Sequence, residues 1–279
     1  MIKKAITLLT LCTSFYTCNV TAADNNTLAA GWELWYPYQY RNENQQLVGL
    51  DLDILNTLLK HTNLSVNYTE LPWKRHLHYI KTGDMDIAMG SSYTKEREQY
   101  AYFSKPYRQE TVKLFVRKGT AANISLQHLN DLPNSNYMIG VEGGYYYGKE
   151  YQALITTTAF KSHIIEVLDL EKNIKLLMEG HLDGILVDPF TMQAFIKKYK
   201  MQNEFEQHSL HIYSDTIHIM ISKKAQVNNL LGKINNAITE LTNSGKLNDI
   251  IKNWNNVVNT KSNNINNNES ATLKEQQPL

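Results

Sequence analysis

Arg97 stands in the run Gly90-Ser91-Ser92-Tyr93-Thr94-Lys95-Glu96-Arg97-Glu98, just past an apolar stretch, Met85 to Gly90, that reads as a strand. A guanidinium is planar and permanently charged, and it grips a carboxylate through two parallel N–H···O bonds. Ligands of open α/β sheets collect beyond the carboxyl ends of the strands. An arginine placed there either takes an anion or pairs at the surface with Glu96 or Glu98. Asp188 is its counterpart later in the chain. It closes the apolar run Gly184-Ile185-Leu186-Val187 and precedes Pro189, a residue suited to a first helical position. A carboxylate there caps the helix, and if it also faces a cleft it requires a positive partner. Trp35 and Trp73 supply flat rings able to sandwich an aliphatic or cationic group, or else to fill core. Glu33 and Arg75 lie beside them in sequence, free to line the same cleft or to face water.

Other chemistries find less support. Nine histidines are present, but His76 and His78 would point to different sides of one helix. His208, His211 and His218 have neither Cys nor a tight acidic cluster to complete a metal site, so no metal is expected. Gly143-Gly144 lacks the Lys-Ser/Thr of a phosphate loop. The two cysteines, Cys12 and Cys18, fall in the leader described below, which leaves the rest of the chain no thiol nucleophile. Lys and Arg number 28 against 27 Asp and Glu, a balance with no electrostatic footprint for nucleic acid or an anionic membrane. No cofactor is expected.

These residues must be carried by elements. Short apolar runs alternate with helical patterns, the signature of an α/β architecture. Strands are expected over Thr27–Glu33, Leu64–Leu71, Met85–Gly90, Tyr137–Val141, His163–Val167, Asp183–Asp188 and Ile217–Ser222. Helices are expected over Gly49–Thr62, Trp73–Gly83, Leu170–Glu179, from Pro189 through Tyr199, Val227–Thr242 and Lys246–Val257. Asp51 and Asp53 sit at the positive end of the first helix. Thr111–Lys118 carries the chain from one half to the other and Leu210–Asp215 brings it back, so two connections side by side restrict the halves to a hinge motion. The expected organisation is a first lobe of residues 24–111 completed by 217–258, and a second lobe of 112–216.

The ends read differently. Residues 1–23 have a positive start at Lys3 and Lys4, an apolar run from Ala5 to Cys12 and small residues before a cut after Ala23, which is the pattern of a cleaved signal peptide. Residues 259–279 carry almost no large apolar groups and are expected to be a disordered tail.

Several stretches carry a resemblance. They are W-Y-P-Y-Q-Y (Trp35 to Tyr40) with L-V-G-L-D-L-D-I-L (Leu47 to Leu55), then G-D-M-D-I-A-M-G-S-S-Y-T-K-E-R-E (Gly83 to Glu98) continued by Y-F-S-K-P-Y (Tyr102 to Tyr107), and E-G-H-L-D-G-I-L-V-D (Glu179 to Asp188). Together they resemble the polar-amino-acid type of extracellular solute-binding proteins, family 3, from about Leu28 to Trp254. The resemblance implies a two-lobed periplasmic-binding-protein fold that closes around a small polar ligand, an amino acid or a relative of one. It further implies a monomer in the periplasm that delivers its ligand to an ABC permease. It assigns the ligand carboxylate to Arg97, further contacts to a backbone carbonyl of Gly90 and a hydroxyl or amide of Ser92, and the ligand ammonium to Asp188. The chain departs from the pattern at Tyr145, where a small hydroxyl residue is usual after the glycine pair, and at the first strand, where Glu33 is the nearest acid. The same fold also hosts cyclohexadienyl dehydratases, in which a cleft glutamate, Glu142 or Glu33 here, would act as acid and base. A ligand-sensing subunit docking on a membrane receptor is a third reading. Fold alone does not choose among them.

Overall fold

The structure is a computed structural model and describes residues 26–62 and 64–258. The expected leader and the expected tail lie outside the described residues. In the first half, β1 (Thr27–Trp32) leads through the two-residue strands β2 (Tyr40–Arg41) and β3 (Leu47–Val48) to α1 (Leu50–Lys60). There follow β4 (Ser65–Glu70), α2 (Trp73–Thr82), β5 (Ile87–Ser92), the single turn α3 (Lys95–Glu98) and β6 (Ala101–Phe103). β7 (Arg108–Arg117) crosses to the second half, which contains β8 (Ile139–Glu142), the short helices α4 (Lys149–Leu154) and α5 (Thr158–Lys161), β9 (Ile164–Val167), α6 (Leu170–Met178), β10 (Gly184–Val187) and α7 (Pro189–Lys198). β11 (Phe205–Ser222) returns the chain to the first half, where α8 (Leu230–Asn243) and a last helical stretch over 246–258 complete it.

The expected alternation is present, and the two expected crossings are β7 and β11. They pair with each other, antiparallel, from Arg108 opposite Ile217 to Arg117 opposite Phe205. This ribbon fuses the two halves into one sheet in the order β4-β1-β5-β11-β7-β10-β8-β9, with β6 also on β11. Within each half the strands flanking the ribbon are parallel: β4, β1 and β5 on one side, β10, β8 and β9 on the other. The return segment Leu210–Asp215 and the strand Ile217–Ser222 are therefore one strand of 18 residues. Register shifts after Gln207 and around His211 break its apolar alternation, which is why the sequence reads as two pieces.

Each half has its own core. Leu28, Leu55, Leu58, Ile87, Ile219 and Ile234 are buried together on one side of the ribbon, and Leu114, Leu132, Ile139, Phe160 and Leu186 on the other. α1 shows why such a segment folds as it does, because Leu50, Ile54, Leu55, Leu58 and Leu59 fall on one face at helical spacing and all are buried. Asp51, expected only to complement the helix dipole, is itself buried, for a reason that belongs to the cleft.

Candidate functional site

The carboxyl ends of β1, β5, β8 and β10, the N-terminus of α2 and the inner face of β7 converge on one cavity between the halves. It is lined by Glu33, Trp35, Trp73, Gly90, Ser92 and Arg97 from one side and by Glu142, Tyr145 and Asp188 from the other, with Glu110 on the crossing strand. Of the residues expected to contact a ligand, only Arg75 lies elsewhere. It is exposed and absent from this lining, because two positions along a helix is about 200° of rotation from Trp73.

Arg97 is held by α3, whose N-cap Thr94 accepts the Arg97 amide at 3.1 Å. The residue is 7% exposed, and its guanidinium lies over the Trp73 ring at 5.6 Å. Nη1 donates to the Ser92 carbonyl at 2.9 Å and Nη2 to the Gly144 carbonyl, across the cleft, at 3.1 Å. Burial pulls its pKa down. The surface pairing with Glu96 or Glu98 is not formed; Glu98 instead accepts from the Tyr93 hydroxyl. Three of the five guanidinium N–H groups have no hydrogen bond to the described residues.

Asp188 does cap its helix. Oδ2 accepts from the amide and the hydroxyl of Thr191 at 3.0 and 3.2 Å, and also from the Tyr38 hydroxyl of the other half at 2.9 Å. Burial raises its pKa, opposed by those bonds.

The two tryptophans do not face each other across open space. The Tyr145 ring meets both edge-on, Trp35 at 5.9 Å and Trp73 at 6.4 Å. Its hydroxyl donates to Glu33 Oε1 at 2.6 Å, while Glu33 Oε2 accepts the Trp73 amide at 2.9 Å. Glu33 thereby serves as the missing cap of α2, whose N-cap is Pro72. Gly90, at φ +69°, lets the Trp35 ring approach the backbone; a Cβ there would lie 2.6 Å from Trp35 Cζ3. The free volume left among these side chains is about 40 Å³, room for a few waters. Admitting a larger solute requires the halves to part.

Behind Trp35 lies an ion pair that the sequence did not disclose. Arg108 donates to Asp51 through Nε at 2.8 Å and Nη2 at 3.1 Å, with side chains 3% and 0% exposed. The guanidinium packs on the rings of Tyr38 at 3.9 Å and Trp35 at 5.1 Å. This pair explains the buried Asp51 and fixes the aromatic wall. His76, also in the lining, sits with Nε2 between the Ile87 carbonyl and the Gly31 amide, and burial lowers its pKa to about 4.

Two more acids were not read as ligand contacts. Burial pushes Glu110 up to about 8, and burial reinforced by Glu33 does the same to Glu142. Glu142 had a visible signal, since it ends β8 beside a glycine pair much as Asp188 directly follows β10. Among the described residues no group of three or more His, Cys, Asp or Glu is arranged to hold a metal ion.

A sequence model of the bacterial extracellular solute-binding proteins, family 3, matches residues 29–257. A "probable histidine-binding protein" of Neisseria gonorrhoeae is 28% identical over 162 residues, 58% of each chain, so the chain spans little more than half the length of that relative. An arginine-binding periplasmic protein of Mannheimia haemolytica is 22% identical over 253 residues, 88% of this chain and 97% of the other. Among solved structures, an ancestral arginine-binding protein bound to arginine has a TM-score of 0.71 at 23% identity, covering 83% of this chain and 99% of that one. At that identity the likeness speaks for the fold.

Proposed function

The chain belongs to the bacterial extracellular solute-binding proteins, family 3, and from that premise we propose that it captures a free amino acid in the periplasm by closing its two lobes and presents it to an ABC permease. One observation carries this reading: Arg97 and Asp188, from opposite lobes, line the same cavity. A zwitterion offers a carboxylate to the first and an ammonium to the second. Charge-assisted bonds of this kind contribute about 1.5–3 kcal/mol each, and micromolar affinity requires about 8 kcal/mol. Two such anchors plus aromatic contact reach that scale only in a nearly preorganised site. The caps, the ion pair behind Trp35 and the Glu33 bond to α2 supply such preorganisation.

The mechanism follows from the cross-lobe contacts. In the open form a ligand carboxylate meets the free N–H groups of Arg97. Closure then brings Asp188 to the ammonium and makes the bonds Tyr38 to Asp188 and Tyr145 to Glu33. The exposed pair Lys74 with Glu166 joins the lobes at the rim. A calorimetric panel of amino acids tests the reading. At least one should bind the wild type without turnover, and Arg97→Ala should abolish that binding while the melting temperature without ligand holds. Undiminished affinity in Arg97→Ala, or turnover of prephenate or arogenate, would overturn it.

A further inference from the structure

Glu142 has no role in gripping the backbone of an amino acid, yet it is the least compensated carboxyl group in the cleft. It is 8% exposed. Its backbone amide approaches the Tyr147 hydroxyl at 2.7 Å, but its carboxylate has no hydrogen bond or ion pair with the described residues; only burial and the neighbouring acids Glu33 and Asp169 act on it. Both oxygens of Glu33 are already engaged, which leaves Glu142 as the unengaged member of that pair. Its position is central. Besides the main cavity it lines a side chamber of about 130 Å³, walled by Trp35, Tyr36, Phe195 and Tyr199, that shares Trp35 and Glu142 with that cavity; the exposed acids Asp169 and Glu171 also line it, as does Lys198, whose ammonium lies over the Tyr36 and Tyr199 rings.

A buried carboxylate without a partner is costly unless something supplies a positive charge. The cleft holds four acids, Glu33, Glu110, Glu142 and Asp188, against the free guanidinium of Arg97, because Arg108 is taken by Asp51. A neutral zwitterion leaves that excess untouched; a second cation on the ligand reduces it. We propose that Glu142 is the specificity-determining anchor for a cationic side chain, so that the ligand is an amino acid ending in a guanidinium or ammonium group directed past Trp35 toward the side chamber. This rests on the amino-acid reading above and adds the charge and direction of the side chain.

The test is titration calorimetry on the full-length wild type and on Glu142→Gln, which keeps shape and removes charge. The probes are arginine with its uncharged isostere citrulline, lysine with norleucine, and agmatine, which is arginine without the carboxylate. In the wild type, arginine or lysine should bind at least about tenfold more tightly than its neutral counterpart, the scale of one charge-assisted bond. Glu142→Gln should cut that preference to within about threefold, chiefly by weakening the charged ligand. If zwitterions bind without regard to side-chain charge, or Glu142→Gln keeps the full preference, the Glu142 assignment fails and the amino-acid reading stands. If agmatine binds as tightly as arginine and Glu142→Gln weakens both, the carboxylate reading fails and Glu142 stands. If none of the probes binds, the Glu142 assignment fails, and the wider amino-acid panel decides the amino-acid reading. A ligand-free melting temperature for Glu142→Gln no lower than that of the wild type separates these outcomes from misfolding.

Discussion

The Tyr145 hydroxyl donates to Glu33 Oε1 across the cleft at 2.6 Å, and the same carboxylate accepts the first amide of α2 through its other oxygen. One side chain thus links the state of the lobes to the start of the helix that carries Trp73. Tyr145→Phe removes the bond and keeps the ring. It should leave the fold intact and speed ligand release by about tenfold at most, the scale of one hydrogen bond, as read by stopped-flow fluorescence. Tyr145→Ala, which empties the space between Trp35 and Trp73, should instead shift selectivity toward bulkier ligands.

Asp188 serves two ends, and they separate by substitution. Asparagine caps helices about as well as aspartate, so Asp188→Asn should melt close to wild type. It should weaken amine-bearing ligands more than amine-free analogues in calorimetry. Equal losses for both would restrict Asp188 to capping α7.

The Asp51–Arg108 pair is a prediction about stability. Asp51→Ala leaves a buried guanidinium without its partner, and such removals cost about 3–5 kcal/mol. Urea denaturation should show that loss, together with weaker binding as the Trp35 wall loosens. The double variant Asp51→Leu/Arg108→Met should recover most of the stability, since neither charge then needs compensation.

The pH dependence has a definite sign. Glu110 and Glu142 are held at about 8, against an ordinary 4.5, by burial in the closed cleft. Between those values the closed form binds more protons than the open or unfolded chain, so ligand-free stability falls as pH rises through that window. A cationic ligand favours the charged carboxylates, so its affinity should rise over the same window as their protons are released. Melting curves from about pH 5 to about pH 8, with and without arginine, should diverge toward the alkaline end.

Much of this was legible in the sequence. Arg97 and Asp188 each follow an apolar run that reads as a strand, and those strands, β5 and β10, run in opposite directions so that their carboxyl ends meet at the cleft from the two halves. Arg75 was misplaced because nearness in sequence is not nearness on a helix. The Asp51–Arg108 pair joins positions 57 apart, and no local pattern announces such a partner. Glu110 lies on the crossing strand, whose length and register emerge only from its pairing with β11. Tyr145 stands out in the sequence as a bulky residue where a small hydroxyl is usual, but its bond to Glu33 depends on how far the lobes close.

A crystal structure of the full-length protein grown with arginine tests the central claim most directly. The ligand carboxylate should lie about 3 Å from the Arg97 guanidinium nitrogens, its α-ammonium against Asp188 and its side chain along Trp35 toward Glu142. Arginine bound outside the cleft, or a closed complex in which Arg97 and Asp188 touch no ligand atom, would contradict the account.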